Sequence, residues 1–210
     1  MAQGRSTILK LNYRSTREIL DFVYRFAKDY LSGRGNDDIP LVKPEVAGVN
    51  VPSPELRRFA NLYDEMDYTI RYLRTWSERG KSWGEIAVLY PMKRVGNKMS
   101  EELERLNVPH KLLGSGESKK NYQPGSNELL LMPIPSSKGL EFDTVIIVDS
   151  TFSHSLANID DEKDDAQVEE LMSDAIRRLY VGMTRAKKNL LVTYHRENLI
   201  SDTLEKVLAS

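Results

Sequence analysis

The sequence predicts a doubly wound α/β domain: a mostly parallel sheet flanked by helices. Three observations carry the prediction. Val145-Ile146-Ile147-Val148 is a run of four β-branched residues, the mark of a strand covered on both faces. Ile86-Ala87-Val88-Leu89-Tyr90 is a second continuous apolar run. Segments with helical periodicity alternate with such strands through short connections, which argues for parallel pairing with crossover helices.

The elements follow in order. Ile8 to Leu11 reads as a short strand and Asn12 to Arg14 as the turn after it. Ser15 or Thr16 can cap the next helix, with Glu18 in its first turn. Ile19, Leu20, Val23, Phe26, Ala27 and Tyr30 then recur at helical spacing until Gly33 and Gly35. Residues 39 to 52, with Pro40, Pro44, Gly48 and Pro52 among apolar residues, read as an extended arm. Ser53-Pro54-Glu55 has the form of a helix start, a cap followed by proline. A helix is expected from Leu56 to Glu78 on the spacing of Phe59, Leu62, Tyr63, Met66, Ile70, Leu73 and Trp76. Residues 34–80 are therefore expected to form a small, largely helical insertion in a single domain spanning residues 1–210. After the strand at Ile86 come a helix over Lys98 to Leu106, an extended piece from Val108, a loop from Gly114 to Gly125 and a strand from Glu128 to Ile134. A helical turn over Ser136 to Glu141, a strand from Thr144 to Asp149 and an acidic loop from Asn158 to Asp165 follow. The chain closes with a helix over Val168 to Met183, a strand from Leu190 to Tyr194 and a helix over Leu199 to Leu208.

Composition narrows the function. Thirty basic residues against 31 acidic ones leave a formal charge of -1, so total charge does not announce a polyanionic partner. A basic groove on a neutral body remains compatible with one. The chain has no cysteine, which excludes disulfides, cysteine-ligated zinc and thiol catalysis and fits a reducing cytoplasm. His110, His154 and His195 are too far apart in sequence for a local metal site, and neither His110 nor His195 has a catalytic partner nearby. No apolar run reaches membrane-spanning length and none follows Met1 to Arg5. Neither a membrane partner nor a signal peptide is expected.

Three segments could carry chemistry. Asn12-Tyr13-Arg14-Ser15 lies between a strand and a helix, and ligands in open parallel sheets collect beyond the carboxyl ends of the strands. A tyrosine there can stack on a base and an arginine can fork onto phosphate oxygens; equally, Tyr13 can pack the domain edge and Arg14 can point to water. Ser136-Ser137-Lys138-Gly139-Leu140-Glu141 lies between two strands. Its small residues allow a backbone to approach an anion, and Glu141 suits a ribose hydroxyl, although a plain surface turn reads the same way. It is not a phosphate loop, whose pattern is G-x-x-x-x-G-K-S/T. Arg177 to Lys188 is a basic stretch at the end of a helix. The helix dipole accounts for Lys187 and Lys188. Arg185, past Gly182 and Thr184, sits where a loop could aim it at a transferring phosphoryl group, although a solvated basic helix end reads the same way.

The carboxylates and aromatics have structural readings. Asp149 ends a buried strand, where a cap or structural hydrogen bond is expected rather than a metal. Asp160, Asp161, Asp164 and Asp165 read as a solvated loop. Tyr63, Tyr68, Tyr72, Trp76 and Trp83 could stack bases, but core packing or contact with another domain is the plainer expectation.

In this order the segments resemble helicase motifs IV, V and VI of the UvrD/Rep/PcrA-type superfamily 1 DNA helicases, in their C-terminal RecA-like (2A) domain. The matching residues are Leu11 to Ile19, Lys138-Gly139-Leu140-Glu141-Phe142-Asp143 with Val145, and Arg177 to Lys187. The resemblance implies ATP with magnesium as cofactor, and magnesium ligands from an N-terminal RecA-like half. It implies that Tyr13 stacks on adenine, Arg14 meets the γ-phosphate, Gly139 lets the nucleotide pass, Glu141 holds the ribose and Arg185 is the arginine finger. Ser136, Ser137 and Lys138 would lie near the surface that couples ATP to nucleic acid. Two departures stand out. The family places Thr-x-His-x-Ala before the Lys-Gly-Leu-Glu-Phe run, whereas here Pro135 occupies the histidine position. Motifs IV and V are also close together, so a large 2B subdomain is absent or reduced to residues 34–80. Both features resemble the HelD-like ATPases, which would replace single-stranded DNA by an RNA polymerase complex as the partner.

Overall fold

The computed structural model describes residues 15–31, 52–78, 80, 82–114, 125–154, 156 and 165–209. The expected strand at Ile8, the residues Tyr13 and Arg14, the arm up to Val51, most of the 114–125 loop and the acidic loop up to Asp164 lie outside these residues.

Among the described residues six strands form one parallel sheet: β1 (Glu55–Arg58), β2 (Ile86–Tyr90), β3 (His110–Leu112), β4 (Leu129–Pro133), β5 (Phe142–Ile147) and β6 (Ala186–Tyr194). Their order is β1-β6-β5-β2-β4-β3 and every pairing is parallel. Among the described residues five helices cover the sheet: α1 (Arg17–Leu31), α2 (Leu62–Glu78), α3 (Lys93–Arg105), α4 (Asp165–Met183) and α5 (Leu199–Ala209). The result is the doubly wound architecture that the apolar runs predicted, of the RecA-like kind that the resemblance implied.

Strand alternation sorts the helices into two layers. Ala87, Leu89, Val145, Ile147, Leu190 and Val192 face one way and pack with α1, α4 and α5, through Phe22, Phe26, Ile176, Leu179, Ile200 and Leu204. Ile86, Val88, Tyr90, Ile146, Val148 and Leu191 face the other way and meet α2 and α3, through Ile70, Leu73, Met99 and Leu103. β2 is buried at all five positions, which is why it reads as an unbroken apolar run rather than an alternating one.

Several boundaries differ from the sequence reading. The Ser53-Pro54-Glu55 signature does not start a helix. Glu55–Arg58 is instead the edge strand β1, in register with Leu191 to Tyr194 of β6. The helix begins after it, at Leu62, where the Asn61 side-chain oxygen accepts a 3.0 Å hydrogen bond from the Asp64 N–H. Pairing with β6 overrides the local cap-and-proline signal. The described part of the expected 34–80 insertion thus builds the main body: β1 extends the sheet and α2 covers it. α3 starts at Lys93, five residues before the expected Lys98. The turn expected at Ser136 to Glu141 is a 3-10 turn at Ile134–Ser137, and β5 and β6 begin earlier than read, at Phe142 and Ala186.

One glycine sets the helix–sheet distance beside the basic segment. A Cβ on Gly182 would lie 3.1 Å from Ile134 and 3.3 Å from Ile147. Its absence lets the end of α4 settle against β5 and so fixes where the following turn, Thr184-Arg185, emerges.

Candidate functional site

β5 and β6 begin side by side. Phe142 is opposite Ala186, and the Phe142 N–H donates to the Arg185 carbonyl at 2.9 Å. The loop Lys138 to Glu141 and the turn Thr184-Arg185 are therefore neighbours at the amino ends of the two strands. The start of α1 is tied to the same edge: Ser15 Oγ donates to the Ala186 carbonyl at 2.7 Å and the Thr16 N–H to the Lys187 carbonyl at 3.0 Å. Thr16 Oγ1 also accepts from the Ile19 N–H at 3.4 Å, as a helix cap does. Segments more than 100 residues apart thus converge on one edge. It is the amino edge: two of the motifs immediately precede β5 and β6, so a parallel sheet delivers both to the strands' starts, while the strand expected before Asn12 lies outside the described residues.

Arg185 is half-buried and held by the chain around it. Its Nε donates to the Val181 carbonyl at 3.0 Å, Nη2 to Thr184 Oγ1 at 3.0 Å and Nη1 to the Leu140 carbonyl at 3.5 Å. The first bond places a cation on the carboxyl end of α4, where the dipole favours it. The last reaches across to the Lys138–Glu141 loop. Burial pulls the guanidinium below its ordinary pKa, and the charge of Glu141 opposes that pull; an arginine remains charged under either influence. Tyr180 lies close enough to feel the Arg185 charge: burial raises its hydroxyl and Arg185 opposes the rise.

The loop residues take distinct places. Gly139 has φ +83° with open space where a Cβ would be, a backbone conformation that costs glycine nothing. Lys138, Gly139 and Glu141 are exposed, and Ser136 is half-buried. Ser137 is fully buried and spends its hydroxyl on the Ile134 carbonyl at 2.7 Å, so it shapes the turn instead of facing a coupling surface. Lys187 and Lys188 do more than answer a helix dipole: both reach Asp143 on β5, at 2.8 and 2.5 Å. Burial works to raise the Asp143 carboxyl, but the two lysines outweigh it and hold it below the usual carboxylate range. Arg178 pairs with Asp174 one turn earlier at 2.5 Å, bracing α4.

The carboxyl ends of the same two strands hold a group that the sequence did not reveal. Glu65 of α2 is fully buried. Its Oε1 accepts from the Asp149 N–H at 2.7 Å and from Thr193 Oγ1 at 2.5 Å, and its Oε2 from His195 Nδ1 at 2.6 Å. Asp149 behaves as the expected structural acid: its Oδ1 accepts from the Ser153 N–H at 3.0 Å and closes the turn after β5. Burial pushes the Asp149 carboxyl above its ordinary range; its bonds from Ser153 and the His195 charge oppose this, and Glu65 adds to it. His195 therefore has a partner after all, 130 residues away in sequence. His110 is structural, between Ser100 Oγ at 2.7 Å and the Val108 carbonyl at 2.9 Å. Of the aromatics, Phe59, Tyr68, Tyr72 and Trp76 form a contiguous row with ring centroids 5.0 to 6.1 Å apart, while Tyr63 is 75% exposed. Among the described residues no group of three or more histidine, aspartate or glutamate side chains could hold a metal ion, and no helix is long and apolar enough to cross a membrane.

Similar proteins give this geometry a context. The ATP-dependent DNA helicase Rep of Buchnera aphidicola subsp. Schizaphis graminum is 28% identical over 194 residues, 88% of this chain and 26% of the helicase. A protein of Acanthamoeba polyphaga mimivirus, named as an ATP-dependent DNA helicase, is 26% identical over 198 residues, 89% of this chain and 26% of its own length. The chain thus spans about a quarter of each of these curated relatives. Among solved structures, the C-terminal domain of a possible DNA helicase from Lactobacillus plantarum WCFS1 shares the fold, with a TM-score of 0.59 and 18% identity over 94% of this chain and 97% of that one. The family model of the UvrD-like helicase C-terminal domain matches residues 7–118 and 113–197, most of the sequence, and the chain belongs to that family.

Proposed function

We propose that this chain is the C-terminal motor half of an ATP-dependent superfamily 1 DNA helicase and clamps one side of ATP with the amino edge of its sheet. The supporting observation is the convergence of Arg185, the Gly139–Glu141 loop and the start of α1 on that edge. The residues fit a nucleotide. Three of the five N–H donors of Arg185 are committed to described residues, which leaves the guanidinium fork able to take phosphate oxygens. Gly139 keeps the loop backbone open, and Glu141 is an exposed acceptor for a ribose hydroxyl. Tyr13 and Arg14, outside the described residues, precede Ser15 in the sequence; in this reading they would take the adenine and the γ-phosphate. ATP supplies the phosphoryl group, and its magnesium ligands belong to an N-terminal RecA-like half. In this reading Arg185 stabilises charge as the phosphoryl group transfers, and single-stranded nucleic acid is the track.

A second reading follows from Pro135, which is exposed on the 3-10 turn after β4 and stands where the resemblance places a histidine. A HelD-like ATPase acting on an RNA polymerase complex would dispense with that contact. A non-enzymatic scaffold is disfavoured because it has no need of Arg185 and Glu141 at one edge. The test is ATP turnover. The 210-residue chain alone is expected to show none above background, and the chain joined to its N-terminal half is expected to hydrolyse ATP faster with single-stranded DNA. Helicase-like turnover by the chain alone would contradict the half-site; stimulation by RNA polymerase but not by DNA would select the second reading.

A further inference from the structure

We propose that the carboxyl edge of the sheet binds a phosphodiester group of a polynucleotide through His195 Nε2, with Arg196 beside it. The proposal rests on the nucleic-acid motor reading and assigns a contact within it. Glu65 is a buried carboxylate that accepts three hydrogen bonds, one of them from His195 Nδ1 at 2.6 Å. That bond fixes Nδ1 as the donor and orients the ring, as a carboxylate does for a working histidine. Nε2 has no hydrogen-bond partner among the described residues and is not one of the buried unpaired atoms, so it reaches the surface. A phosphate oxygen at Nε2 would complete a bridge: the imidazole, protonated from solvent, donates from Nδ1 to Glu65 and from Nε2 to the phosphate. Each anion then faces a shared cation rather than the other anion.

The surroundings match an anionic ligand. Arg196 is exposed and aligned by its Nη1 bond to the Ser153 carbonyl at 3.3 Å. His154 is exposed on the turn after β5, and Lys93 and Arg94 are exposed at the start of α3, directly past the end of β2. The acids at this edge are occupied or inward: Asp64 is bonded to Asn61, Glu197 pairs with Arg58, Asp149 is buried, and Asp202 lies beyond on α5. The turn supplies a second observation. Asp149 Oδ2, Ser150 Oγ and Thr151 Oγ1 are buried with no partner among the described residues. The two hydroxyls in that state can donate to ordered water, whereas the Asp149 oxygen only accepts and calls for a donor such as water rather than for the phosphate.

The test is fluorescence anisotropy of a fluorescein-labelled oligothymidylate with the 210-residue chain, at about pH 6 and about pH 8, across the range in which histidine titrates. The wild-type chain is expected to bind about tenfold more tightly at the lower pH, the scale of one charge-assisted hydrogen bond. His195→Ala should lose most of that gain, and Glu65→Gln should shrink it by removing the charge behind the ring. His154→Ala, which removes the exposed histidine on the turn after β5, should retain it. Circular dichroism at both pH values checks that each variant is folded. An unchanged pH response in a folded His195→Ala chain would overturn the assignment while leaving the nucleic-acid reading intact. Failure of the wild-type chain to bind the oligonucleotide at either pH would overturn both.

Discussion

Arg185→Ala in the chain joined to its N-terminal half is expected to lower ATP turnover about a thousandfold, the lower end of what an arginine finger contributes. The effect should fall on kcat, with the KM for ATP changed much less, because the guanidinium is needed most as negative charge develops on the transferring group. The structure allows this to be separated from a folding defect. Arg185 also ties the end of α4 to the Leu140 carbonyl, and losing those bonds costs roughly 1 kcal/mol of stability. A small drop in Tm with a large drop in kcat is the expected pair of results. Arg185→Lys should not rescue turnover, since a single ammonium cannot hold Val181, Thr184 and Leu140 while also forking onto phosphate. Turnover within a few-fold of wild type in the alanine variant would leave Arg185 a helix cap and nothing more.

Glu65→Ala is expected to cost about 3–5 kcal/mol of folding stability, because it strands buried donors rather than merely deleting a contact. The Asp149 N–H, the Thr193 hydroxyl and His195 Nδ1 all lose their acceptor at once, at a site where Glu65 itself has no exposed surface. The loss also removes the tie that Glu65 makes between the ends of β5 and β6, through the Asp149 N–H and the Thr193 hydroxyl. Glu65→Gln should cost less, because its amide oxygen still accepts. Urea denaturation gives the comparison, with the exposed Glu101→Ala as a reference expected within about 0.5 kcal/mol of wild type. A Glu65→Ala chain as stable as that reference would mean that the network contributes nothing net.

What the sequence disclosed depended on whether neighbours in space were also neighbours in the chain. β2 and β5 were legible because burial on both faces writes an unbroken apolar run. α1 and α4 were legible because their buried faces recur at helical spacing. β1 was not. Leu56 is its one apolar residue, Arg57 and Arg58 are exposed, and charges on an edge strand guard it against unwanted pairing, so nothing in Glu55 to Arg58 alternates cleanly. Its true signal is the partner strand β6, more than 130 residues downstream. The same holds for the two ends of the sheet. Arg185 and Glu141 stood out because each sits in a distinctive local segment, although their approach to one another needed β5 and β6 to start together. Glu65 had no such signal: it is an ordinary acid in the first turn of a helix, where a dipole explanation suffices, and its three partners lie 84, 128 and 130 residues away.

The central claim is that nucleotide sits at the amino edge of the sheet. Photolabelling with an azido-adenine nucleotide, followed by peptide mapping of the chain joined to its N-terminal half, tests it most directly. Label is expected on the peptides that hold Tyr13 and Arg14 and on the Lys138 to Glu141 loop, and excess ATP should compete it away. Competable label confined to the carboxyl edge, around Tyr63, the Asp149 turn or His195, would contradict the account.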